Sequence, residues 1–187
     1  MRIISGQFKN KKILQPTDKL TRPLKDMTKE SIFNIIEHSK FIKSNIKNSQ
    51  ILDLFSGSGS FGLECISRGA KNVFFCENYK PAVNILKKNI HNFNCSEKTI
   101  ILIEDVFKLL DSKIISKKKF EIIFLDPPFK EKKITKLLEL IFEHNILEKN
   151  GIVILHRNKK DKDILPDKFN IKIDKTYGLS KIIFGCY

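Results

Sequence analysis

The chain has no run of about eighteen apolar residues, which excludes a transmembrane helix. Its opening, MRIISGQFKNKKI, has no long apolar core, so it does not read as a signal peptide. Together these absences point to the cytoplasm and away from membranes. No two cysteines are spaced C-x-x-C: Cys65, Cys76, Cys95 and Cys186 are scattered. They read as buried free thiols in a reducing compartment, and no metal is expected. Arginine is scarce: only Arg2, Arg22, Arg68 and Arg157 stand among 35 basic residues. Internal repeats are absent, which excludes a solenoid. Low-complexity tracts are absent too, beyond lysine clusters at 117–119, 130–133 and 159–162.

What is present suits one soluble domain. The 187 residues are 41% hydrophobic and 30% charged. Lys plus Arg is 35 and Asp plus Glu is 21, so 35 − 21 gives a net charge of +14. A domain this basic ordinarily meets a polyanion, with nucleic acid the first candidate. The abundance of Lys, Ile and Asn is also what an AT-rich genome produces, so charge alone leaves both readings open.

Apolar runs alternate with helical patterns from residue 50 onward. ILDLF, NVFFCE, TIILIE and FEIIFLD read as strands. FGLECISRG, KPAVNILKKNIHNF, VFKLLDSKI and KITKLLELIFEHNIL read as helices. Asn150-Gly151 is expected to turn the last of these into the strand IVILH. FNIKIDKTYG and LSKIIFGCY alternate with period 2 around Gly178 and read as a hairpin. The expected fold is α/β: a mostly parallel seven-stranded sheet, one strand of it antiparallel and supplied by the C-terminal hairpin. We divide the single domain 1–187 into an N-terminal extension, 1–45, and a core, 46–187. The extension reads as a small hairpin over Asn10, then a loop and a helix.

Gln50 to Gly62 reads QILDLFSGSGSFG, with G-x-G-x-x-G at Gly57, Gly59 and Gly62. Glycines at a strand-to-helix turn let the backbone approach a ligand closely. Glu77 ends the next strand, placed to accept from two ribose hydroxyls. That pattern fits any adenosine-bearing cofactor. Asp53 tips the balance, because it lies in the strand four residues before Gly57. A pyrophosphate is already negative and wants no carboxylate there. A sulfonium and an ammonium do, and S-adenosylmethionine carries both. Asp105, ending the third strand, is placed to accept from the adenine amine with Val106 on the ring, or else to cap a helix.

Asp126-Pro127-Pro128-Phe129 ends the fourth strand at the same sheet edge. An amine on a planar ring is a poor nucleophile, because its lone pair is delocalised. Two acceptors aimed at its N–H bonds push it toward tetrahedral and free that pair. The Asp126 carboxylate is one acceptor, and the Pro127 carbonyl, held rigidly between prolines, is the other. Phe129 offers a face for a flipped-out base.

These motifs resemble the Rossmann-like amino-methyltransferases of the Asp/Asn-Pro-Pro-aromatic type. With MRIISGQFKNKKI, TRPLKDMTKESIFNII and LDLFSGSGSFGLECISRGA, nearly the whole chain resembles the RsmD family. That family methylates the 2-amino group of one guanine in 16S ribosomal RNA. The resemblance implies a class I methyltransferase fold, S-adenosylmethionine as cofactor and S-adenosylhomocysteine as product. It implies as substrate 16S rRNA in the small ribosomal subunit or its assembly intermediate, met by a monomer. Gly57 and Gly59 would line the methionine part, Glu77 the ribose, and Asp105 with Val106 the adenine. Arg22, in Thr-Arg-Pro, would contact RNA or close the cofactor pocket. Lys130, Lys132 and Lys133 would hold phosphates or merely start a solvated helix. Ser60-Phe61 departs from the family's usual Ala-Leu, and the bulkier Phe61 is not expected to block the cofactor.

Two other classes fit parts of the pattern. A DNA adenine-N6 methyltransferase shares the Asp-Pro-Pro-aromatic turn but ordinarily needs a separate target-recognition region. A non-catalytic RNA-binding assembly factor would keep the fold without needing Asp126 and Glu77 intact.

Overall fold

The computed structural model describes residues 1–18, 24–128 and 130–187. Seven strands form one sheet: β1 (Gln50–Leu54), β2 (Asn72–Cys76), β3 (Thr99–Leu102), β4 (Phe120–Leu125), β5 (Leu147–Asn158), β6 (Asn170–Tyr177) and β7 (Ser180–Cys186). Their order is β3-β2-β1-β4-β5-β7-β6. Strands β1 to β5 pair in parallel, and β7 runs antiparallel to both β5 and β6. Five helices of α type accompany it among the described residues: α1 (Asp26–His38), α2 (Ser60–Ser67), α3 (Lys80–Asn92), α4 (Val106–Leu110) and α5 (Ile134–Glu143).

Strand periodicity divides the core into two layers. Ile51, Val73, Phe75, Ile122, Phe124, Ile152 and Ile154 face one cluster, which contains buried apolar residues of α1, α2 and α3. Leu52, Leu54, Phe74, Ile123, Leu125, Val153 and Leu155 face the other, built with α4 and α5. With apolar cover on both faces, these strands read as continuous apolar runs.

One boundary differs from expectation. Helix α5 stops at Glu143 because Asn145 takes a left-handed φ of 49°. The chain then enters β5 at Leu147, and Asn150-Gly151 lies within that strand instead of turning into it. The β4–β5 ladder shifts register there, passing from Phe120↔Leu147 to Ile122↔Ile152. A Cβ on Gly151 would sit 2.8 Å from the Leu147 side chain, so glycine marks a bulge. The expected small hairpin over Asn10 is present, with an Arg2↔Lys12 bridge and cross-strand bonds from the Ile3, Asn10 and Ile13 amides. Helix α2 captures other amides of this segment: Ile4 and Ser5 donate to the Glu64 carboxylate, and Gln7 donates to the Ser67 carbonyl.

That capture docks the extension on the core. Lys29 of α1 lies 3.6 Å from Glu64, both fully buried, and Arg68 donates to Glu64 at 2.9 Å. Burial pushes the Lys29 ammonium down from its usual range, while Glu64 and Asp26 pull it back up. Removing one partner of such a buried pair costs about 3–5 kcal/mol. Phe61 stacks on Phe124 at 4.0 Å and on Phe33 at 5.2 Å, so this bulky residue fills the seam between α1, α2 and β4.

Candidate active site

The carboxyl ends of β1 to β5 gather the polar residues at one sheet edge. Phe55 leaves β1 with a φ of 60°, a left-handed conformation rare for a bulky side chain. Gly57 follows with a φ of 54°, and a Cβ there would meet nothing within 4 Å. Its backbone faces open space, as close approach by a ligand requires. Gly62 serves packing instead: a Cβ would fall 2.3 Å from the Phe75 ring, so its absence lets α2 lie close on β2.

Three carboxylates organise this half of the edge. Asp53 points to the α2 face and is 1% exposed, and its Oδ2 accepts from the Gly62 N–H at 3.0 Å. Burial pushes its carboxyl well above the usual range; the Gly62 bond opposes this, and the charges of Asp126 and Glu77 reinforce it. Glu77 accepts from three backbone amides: Gly57 at Oε2 (2.8 Å), and Asn78 and Tyr79 at Oε1 (3.0 and 2.8 Å). A carboxylate oxygen takes about two donors, so Oε1 is filled and Oε2 keeps one place. Asp105 caps α4 by accepting at Oδ1 from Phe107 and Lys108. Val106 is buried in the core with Leu52 and Phe74, while Ile103, just after β3, is 57% exposed. The extension also reaches the loop: Gln15 donates to the Ser58 hydroxyl at 2.8 Å, and Asn89 of α3 donates to the Leu14 and Ser58 carbonyls.

The other half is built on β4 and β5. Register pairs Phe124 with Ile154 and Leu125 with Leu155. One step further puts Asp126 beside His156, on the face that carries Asp53. His156 Nδ1 lies 2.8 Å from Asp126 Oδ1, with side-chain exposures of 7% and 25%. The next residue, Arg157, points to the opposite face, its side chain 1% exposed. Its guanidinium donates to the Pro128 and Glu131 carbonyls at 3.3 and 3.0 Å, and to both oxygens of Asp163 at 2.7 and 3.0 Å. The turn after Asp126 is thereby clamped from beneath. Lys130 and Lys132 are exposed on it, and Lys133 lies 5.6 Å over the Phe107 ring. Arg22 and Phe129 lie outside the described residues.

Neither His156 nor Arg157 stands out in the sequence. The one signal is that IVILHRN turns polar where FEIIFLD does, at the ends of neighbouring parallel strands. The other polar clefts lie elsewhere. One of about 310 Å³, lined by Lys43, Lys47, Glu121 and Lys149, sits where β1 and β4 begin, at the far edge of the sheet. Cys65, Cys76 and Cys95 are buried away from solvent, and all four cysteines are free. Among the described residues no cluster of His, Cys, Asp and Glu is suited to a metal, and no helix is long and apolar enough to cross a membrane.

A parallel sheet with one reversed strand, a glycine turn after β1 and Asp-Pro-Pro after β4 at the same edge define a Rossmann-like methyltransferase. Within that class, the chain belongs to the family described as Conserved hypothetical protein 95, whose model matches residues 1–185. This is the RsmD family that the motifs resemble. The chain is 32% identical over 179 residues to ribosomal RNA small subunit methyltransferase D of Haemophilus influenzae, covering 96% of this chain and 90% of that one. The crystal structure of HI0767 from Haemophilus influenzae superposes with a TM-score of 0.78 at 30% identity, covering 98% and 96% of the two chains. The fold is shared more distantly by SMU.776, solved as a complex with S-adenosylhomocysteine. Its TM-score is 0.63 at 17% identity, covering 83% of this chain and 50% of that one.

Proposed function

We propose that this protein methylates the exocyclic 2-amino group of one guanine in 16S rRNA, using S-adenosylmethionine. The substrate would be the small ribosomal subunit or its assembly intermediate in the cytoplasm, and the enzyme a monomer. The observation that carries this reading is the meeting of two sets of groups at one edge. One set is acidic and surrounds the glycine turn; the other is the Asp126-Pro127 acceptor pair.

The residues present fit the cofactor. Gly57 leaves open space, Glu77 keeps one acceptor place for a ribose hydroxyl, and Asp105 Oδ2 takes no donor from the described residues. Asp53 lies beneath the turn, where its charge favours a cation above. S-adenosylmethionine supplies an electrophilic methyl group on a sulfonium. The protein's own part is to hold the amine. Asp126 Oδ2 and the Pro127 carbonyl receive no donor from the described residues, and each can accept one of the two N–H bonds. Those bonds localise the nitrogen lone pair, and by the motif Phe129 offers the base a stacking face. Exposed Lys130 and Lys132 would meet phosphates beside the target.

The experiment is methyl transfer from labelled S-adenosylmethionine to small subunits from cells lacking this protein, with the modified nucleoside identified by mass spectrometry. A single 2-amino-methylated guanine is the expected product. Methyl on an rRNA adenine would overturn the guanine assignment, and uptake by duplex DNA but not by subunits would replace this reading with a DNA adenine methyltransferase.

A further inference from the structure

We infer that His156 is the positioning residue for the catalytic carboxylate, an inference that rests on the proposed amine methylation. The pair is set by the sheet, since β4–β5 register carries Asp126 and His156 to adjacent places on one face. The Nδ1–Oδ1 distance of 2.8 Å is a full hydrogen bond. An ionised carboxylate only accepts, so Nδ1 carries the proton and donates. The imidazole is buried, and its Nε2 has no partner among the described residues.

This arrangement divides the labour of the carboxylate. Oδ1 is taken by His156. Oδ2 is then held in a fixed direction toward the open edge, as the acceptor for the substrate amine. Without the histidine, the carboxylate of a residue just past a strand end turns about two side-chain bonds. A catalytic group misplaced by about 1 Å can lose about 10²-fold in rate. His156 does not touch substrate in this scheme; it acts through Asp126.

The test compares His156→Asn, whose amide nitrogen can occupy the place of Nδ1, with His156→Leu, which keeps bulk and removes the donor. Expected for His156→Leu is a fall in kcat of about 10²-fold, with KM for the subunit and Kd for S-adenosylmethionine nearly unchanged. His156→Asn is expected to recover most of that loss. Full kcat in His156→Leu, or equal failure of both variants with folding retained, would overturn the inference while leaving the methylation reading intact. A second readout needs no turnover. Nitrogen NMR of the imidazole should show a protonated Nδ1 that changes in Asp126→Ala. An unchanged spectrum would overturn the pairing, even if the wild-type protein methylated another substrate.

Discussion

The two halves of the candidate site hold their charges by different means. On the cofactor side, Asp53, Glu77 and Asp105 are held by backbone amides, from Gly62, from Gly57, Asn78 and Tyr79, and from Phe107 and Lys108. On the target side, Asp126 and its turn are held by side chains from another strand, His156 and Arg157. Backbone amides are lost only by substitution with proline, so the first half should tolerate most sequence change around its carboxylates. The second depends on two particular residues. In the proposed reaction it is the side that would grip and release a base, and there geometry would matter more than charge.

The largest effect should come from the target half. Asp126→Ala removes an acceptor for the amine, and we expect transfer to fall by at least about 10²–10³-fold. Calorimetric Kd for S-adenosylmethionine should stay nearly unchanged; a matching loss of cofactor affinity would erase the division between the halves. Next is Arg157→Leu, which leaves Asp163 and Asp161 without their cation at 12% and 16% side-chain exposure. Breaking such a buried pair costs about 3–5 kcal/mol, so Tm and activity should fall together. A loss of activity without loss of Tm would show that the clamp serves only the turn.

The cofactor half should answer with opposite signs. A carboxyl whose folded pKa is raised contributes stability below its unfolded range, and that contribution is lost as pH rises through the folded value. Asp53 is such a group. Asp53→Asn keeps an acceptor for the Gly62 amide and removes the buried charge. It should therefore raise Tm by a few degrees at neutral pH, the gain vanishing as pH falls to ordinary carboxylate values. The same variant should bind S-adenosylmethionine more weakly. A lower Tm at neutral pH would mean that the Asp53 charge is compensated in the free protein.

The smallest effect concerns the lysines. Affinity for single-stranded RNA falls with salt at a log–log slope of about −0.7 per phosphate contact. Lys130→Ala with Lys132→Ala should reduce that slope by about the value of one or two contacts. An unchanged slope would assign the +14 charge to composition and not to the site.

Much of the fold was legible from local pattern. Alternating apolar runs and helical spacings placed all seven strands, and the hairpin around Gly178 predicted the single reversed strand. The misplaced boundary at Asn150-Gly151 has a physical cause. Asn-Gly favours a turn, but pairing with β4 overrides that preference and absorbs glycine as a bulge. The small hairpin over Asn10 was legible as well; that its Ile4, Ser5 and Gln7 amides go to Glu64 and Ser67 of α2 was not, because those partners lie about sixty residues away.

By itself the sequence determined the alternating α/β pattern, the glycine turn, the Asp-Pro-Pro motif and the acidic strand ends. Each depends on residues close along the chain, where chemistry and spacing can be read directly. Only tertiary structure decided that Phe61 is a core residue, that Val106 turns inward, and that His156 and Arg157 bond to Asp126 and the Pro128 carbonyl. Asp126 and His156 are 30 residues apart and meet only because β4 and β5 lie side by side in one register. A side chain's partner across a sheet is set by strand order and register, and neither is written in any local stretch of the chain.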